Sequence, residues 1–177
     1  MKRKLSIGLM LLLCSFGVFA QSSKQRELMD DAQEAKAAFI AEDSEMAEFF
    51  ENSVGYVIFP NVGKGAYIVG GASGNGVVYK DGEMIGMADL KQVDVGLQIG
   101  GKAFREVLFF QTEEALSNFK EGNFELSGNA SAVVLEEGLA KTVKFKDGVA
   151  VVTMPKAGAM IEISVGGQKF GYEAFQQ

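Results

Sequence analysis

The chain has 177 residues, with 17 Lys+Arg against 23 Asp+Glu, no His, no Trp and one Cys. Without His there is no Ser-His-Asp or Cys-His machinery and no imidazole metal ligand. Cys14 is the sole thiol, so disulfides, thiolate zinc and a Cys nucleophile all disappear if the segment around it is removed.

That segment has the pattern of a signal peptide. Lys2, Arg3 and Lys4 precede a mainly apolar run of 15 residues, Leu5 to Phe19, and Val18-Phe19-Ala20 supplies a small-residue cleavage site. The run is shorter than the roughly 20 residues that span a bilayer. Cleavage after Ala20 is expected, giving a periplasmic or secreted chain from Gln21. A membrane anchor is one alternative. Lipidation at Cys14 is another, although Leu13 stands where lipoprotein processing takes a small residue. Loss of the three basic residues leaves 14 basic against 23 acidic residues, a net charge of −9.

The division expected is a signal peptide over 1–20, a helical arm over 21–51 and a β-rich region over 52–177 that forms one structural domain with the arm. The arm is acidic, with nine carboxylates and three basic residues. Nucleic acid is excluded as a partner, because phosphate binding needs a basic stripe. Ser22 to Ala41 reads as an amphipathic helix, with Leu28, Ala32, Ala35 and Phe39 at spacings of three and four. Asp43 or Ser44 is positioned to cap a second helix that ends near Phe50. These helices either pack on the sheet or lift Phe39, Ile40, Phe49 and Phe50 into a membrane.

From Val54 the period becomes two. Gly55 to Phe59 is a strand stopped by Pro60; Ala66 to Val69 and Gly76 to Tyr79 follow. Asp81-Gly82 marks a hairpin into Met84 to Ala88. Val93 to Ile99 alternates, and Glu106 to Gln111 is apolar on both faces. Thr112 caps a short helix whose first turn holds Glu113 and Glu114 and which ends near Lys120. Phe124 to Leu126, Ala130 to Leu135 and Thr142 to Lys146 read as strands. Asp147-Gly148 then turns into Val149 to Met154, and Met160 to Val165 and Lys169 to Tyr172 complete the chain. The fold class is α+β: a mainly antiparallel barrel or sandwich of about ten strands, with the N-terminal helical arm and a short helix near 113–120.

Catalytic patterns fail on inspection. GLQIGGKA places Lys102 as a phosphate loop would, but Ala103 replaces the magnesium-binding hydroxyl. Ser117 and Lys120 lack the partner motifs of β-lactam enzymes. No metal or cofactor site is expected, and no enzymatic activity; a hydrolase working without His would need a carboxylate pair facing one cleft. Binding features remain. Three strands end in paired glycines, Gly70-Gly71, Gly100-Gly101 and Gly166-Gly167, which read as bulges or corners. Lys64 (next to Gly65), Lys102 and Lys169 lie beside these corners, where a cation and free backbone N–H groups can meet one anion such as a lipid phosphate. Lys144 and Lys146 share one face of the strand expected there. The plainer reading of all five is as solubilising charge.

SVGYVIFPNVGKGAYIVGGASGNGVVY, VGLQIGGKAFREVLFFQTEEALSNF, FELSGNASAV and ISVGGQKFGYEAF, in that order and spacing, resemble the SYLF domain, called an actin-binding domain in its yeast members. The likeness runs from about Phe49 to Phe175 and is greatest to the secreted bacterial branch. Pro60, Lys64, Gly65, Gly70, Gly74, Gly76, Gly96, Gly100 and Gly166 fall on the family's pattern. The resemblance implies non-enzymatic binding of membrane phospholipid. MIGMADLKQVDVG replaces the family's tryptophan-containing stretch, and VLEEGLAK replaces its glycine-proline-glycine-arginine turn. The basic membrane-binding helix of some eukaryotic members has no counterpart, so actin is not expected as a partner. The alternative is an envelope protein–protein interaction module, or scaffold, without a lipid site.

Overall fold

A computed structural model describes residues 23–64, 71–93, 103–126, 132–156 and 167–175. Three helices, α1 (23–42), α2 (Met46–Asn52) and α3 (Glu113–Lys120), accompany eight strands. The strands are β1 (Gly55–Lys64), β2 (Gly71–Lys80), β3 (Glu83–Val93), β4 (Ala103–Phe110), β5 (Phe124–Glu125), β6 (Ala132–Val134), β7 (Val149–Pro155) and β8 (Gln168–Ala174). They form one curled half-barrel in the order β5-β8-β3-β2-β1-β4-β7-β6. Neighbours are antiparallel except β6 and β7, which run parallel. The class is α+β as expected. A barrel or sandwich of about ten strands is matched only roughly, since the described strands make a single sheet whose edges are β5 and β6. The expected strands Ala66 to Val69 and Met160 to Val165, and most of Val93 to Ile99, lie outside the described residues.

The sheet is apolar on both faces because each face has its own cover. On β4, Phe104, Leu108 and Phe110 point to the concave side, while Val107 and Phe109 point to the convex side. A two-residue side-chain period makes such a strand read as continuously apolar. The concave core takes Ala115, Leu116 and Phe119 from α3, with Phe119 against Phe110 at 5.1 Å and Phe170 at 5.9 Å between ring centroids. Thr112 caps α3 as expected, its hydroxyl accepting from Ala115 N at 3.2 Å.

The convex core takes α1 and α2. Ala32, Ala35, Phe39, Met46 and Phe50 are buried there, and Phe50 meets Tyr56 and Phe109 edge-on at 5.0 and 4.9 Å. Lys36 lies over the Phe50 and Tyr56 rings. The arm is therefore part of the core. Burying each large apolar side chain contributes about 1.5–3 kcal/mol, which opposes lifting Phe39 and Phe50 away. The second helix runs on to Asn52, with Glu45 at its N-cap and no side-chain cap bond. Asp43 instead accepts from Glu45 N at 3.0 Å with one oxygen and from Ala140 N at 2.9 Å with the other.

Two further expectations are corrected. Pro60 does not stop β1. The strand passes through it to Lys64, with the register slipping against both neighbours between residues 58 and 62. A bulge removes the ladder bond that Pro cannot donate. Thr142 to Lys146 is not a strand. A 3₁₀ turn, Ala140–Thr142, is followed by unladdered chain, with one bridge from Lys146 to Val149. The Asp43 carboxylate on Ala140 N stabilises the turn in place of a ladder. Both hairpin signals hold: Asp81-Gly82 and Asp147-Gly148 have φ of 51° and 80°, and 52° and 77°, the two successive left-handed residues of a type I′ turn.

Candidate functional site

A cleft of about 420 Å³ opens between the two ends of the half-barrel. One wall is Phe124 to Leu126, held to β8 by the pairs Phe124–Phe170 and Glu125–Lys169 and by Leu126 N donating to Gln168 O at 3.0 Å. The other wall is β7 with β6 and the connection between them. Phe124, Leu126, Val149 and Val151 give it an apolar floor, and Lys144 and Lys146 stand at its rim, where Glu125 and Asp147 also line it.

The rim is fixed by the arm. Asp43 is 5% exposed, and its hydrogen bond from Ala140 N is the first cause holding its carboxyl below the ordinary carboxylate range. From that turn Val143 and Phe145 pack inward while Lys144 and Lys146 are exposed. The alternation of a strand survives here without a ladder. Such a rim can meet an anionic oxygen while the floor takes hydrocarbon.

Of the residues singled out in the sequence, Lys144 and Lys146 come together at this cleft. Lys169 is exposed on β8, 3.5 Å from Glu125 on neighbouring β5. Lys64 closes β1 opposite Ala72; its side chain, like Lys102, Gly65, Gly70, Gly100, Gly101 and Gly166, lies outside the described residues. Gly71 opens β2 opposite Val93, and Gly167 precedes β8 with φ of 79°. Most of the lysine-and-glycine grouping thus lies outside the described residues, whereas Lys144 and Lys146 both line the cleft. The described residues contain no group of three or more metal-ligating side chains, and none of their helices is long and apolar enough to cross a membrane.

A second polar feature sits inside the concave core. Glu106 is fully buried on β4, between Phe104 and Leu108 in the inward phase. Gln168 Nε2 donates to Glu106 Oε2 at 3.0 Å and to Gln92 Oε1 at 3.2 Å. Glu106 Oε1 and Gln168 Oε1 have no hydrogen-bond partner. Burial is the main cause that pushes the Glu106 carboxyl up to about 8, and the Gln168 bond only partly opposes it. Sequence reading passed over this group, although a carboxylate spaced by two from Phe104 and Leu108 was a visible signal. The floor residues were missed because the cleft exists only once β5 and β7 face each other.

No curated protein matches the chain. Residues 91–173 match the family model Ysc84, described as Las17-binding protein actin regulator. The match is narrower than the likeness over 49–175, yet it includes both cleft walls, Glu106 and Gln168. From the end of β3 through most of β8, the chain is similar to the Ysc84 (SYLF) family.

Proposed function

We propose that the chain is a non-enzymatic phospholipid-binding protein of the cell envelope, exported by its N-terminal signal and freed near Ala20. The cleft between β5 and β7 would hold hydrocarbon over Leu126 and Val151, with Lys144 and Lys146 on the headgroup phosphate. The observation that carries this reading is the union of an apolar floor and a lysine rim in one concavity. The SYLF match supports it. Co-sedimentation of residues 21–177 with phosphatidylglycerol vesicles tests it. Binding that the pair Lys144→Glu and Lys146→Glu weakens at least tenfold, with the fold intact, is the expected result. Equal binding by that variant removes the rim from the account.

A protein partner is the second reading. The matched family model is described as a Las17-binding protein, and the sheet edges among the described residues are the short strands β5 and β6, the kind of edge on which a further chain can add. It predicts no binding to phosphatidylglycerol vesicles by residues 21–177.

A further inference from the structure

The cleft walls belong to opposite ends of the sheet, and a polar side-chain contact joins the strands that carry them, beside the apolar bridge that Phe119 makes between Phe110 and Phe170. β5 hangs on β8 and β7 hangs on β4. Glu106 of β4 and Gln168 of β8 meet across the concave core. We infer that protonated Glu106 and Gln168 form a closed acid–amide pair, a latch that sets the width of the cleft and opens when Glu106 ionises.

The geometry leaves one proton to be placed. Both N–H groups of Gln168 are in use, one on Glu106 Oε2 and one on Gln92 Oε1. The two oxygens left over, Glu106 Oε1 and Gln168 Oε1, are both acceptors if the carboxyl is ionised, and two buried acceptors cannot satisfy each other. A proton on Glu106 Oε1 turns one of them into a donor. The planar acid and planar amide, already joined at one corner, then close at the other. Both orphaned oxygens are satisfied by the same proton.

Among the described residues, no charged side chain faces Glu106. The residues opposite Glu106 on β1 and β7 are Phe59 and Thr153, and β8 and β3 contribute Gln168 and Gln92. None of these titrates. Arg105 of β4 lies beside Glu34, and Lys156, just past the end of β7, lies on Asn61. Burial therefore governs the carboxyl, with a value near 8. As pH rises through that value, Glu106 gives up its proton to solvent. The second bond is lost, and a buried carboxylate draws water between β4 and β8. The cleft walls then separate.

The role in ligand uptake rests on the cleft reading above; the latch itself does not. The test is the distance between nitroxide labels at Glu125→Cys and Lys141→Cys in a Cys14→Ser background, at about pH 6 and about pH 9.5. The expected result is a longer, broader distribution at the higher pH, and the short distribution at both values when Glu106→Gln is added, because an amide closes the same ring without titrating. A difference infrared carbonyl band of a protonated carboxyl, lost at high pH and absent from Glu106→Gln, accompanies it. An unchanged distance, or an equal shift in Glu106→Gln, overturns the latch. A pH-gated distance without binding to phosphatidylglycerol vesicles at either pH supports the latch and removes the lipid reading.

Discussion

Glu106 and Gln168 stand four strands apart in the sheet order, yet their side chains meet at 3.0 Å. Flat, those four steps would span roughly 19 Å. The contact thus measures the curl of the half-barrel, and the same curl turns the edges β5 and β6 towards each other and makes the cleft between them. The pair that records the bend and the site the bend creates are two consequences of one geometry.

The first prediction follows from the buried acid. Glu106 has its folded value raised to about 8 from an ordinary 4.5, so between these values the folded state holds a proton that the unfolded state has released. Stability then falls as pH rises through that window, by at most about 1.4 kcal/mol per pH unit, and levels off above it. Thermal denaturation of the wild type against Glu106→Gln from mildly acidic to alkaline pH measures this. The variant should lose that slope; parallel curves would show that Glu106 is ionised throughout.

Asp43 has the opposite sign. Its carboxyl is held below the ordinary 3.8, first by Ala140 N. The stability it contributes is present above that value and is lost as pH falls through the lower, folded one. Asp43→Ala leaves Ala140 N and Glu45 N without this acceptor. A cost of about 1–3 kcal/mol is expected, seen as a Tm lower by about 2–10 °C. A Tm equal to wild type would mean that the arm does not hold the rim.

Gly76 carries the close approach of β2 to β1. An added Cβ would lie 2.7 Å from the Phe59 ring and 2.8 Å from Ile58 O. The backbone oxygen belongs to the paired strand and cannot swing aside, so Gly76→Ala should cost about 1–3 kcal/mol through strain. Urea denaturation checks it, and an unaltered midpoint contradicts the packing described.

Local chemistry was legible in the sequence, and long-range geometry was not. Asp81-Gly82, Asp147-Gly148 and Thr112 announce themselves because each acts on its own backbone within a few residues. Pro60 misled because a bulge, invisible without the neighbouring strands, frees that position of a ladder bond. Thr142 to Lys146 has the alternation of a strand and lacks a partner, which alternation alone cannot reveal. Lys144 and Lys146 were found as a pair, but the apolar floor beneath them comes from segments far apart in the chain. Glu106 stood in plain view among apolar residues, and its meaning depended on Gln168, 62 residues away.

Photo-crosslinking tests the central claim most directly. Vesicles of phosphatidylglycerol with a photoactivatable group on the acyl chain are mixed with residues 21–177, irradiated and mapped by peptide mass spectrometry. Crosslinks concentrated on 124–126 and 149–151, and lost in the Lys144→Glu and Lys146→Glu pair, are the predicted result. Crosslinks confined to α1 and α2, or none on the cleft walls, would contradict lipid binding at this site.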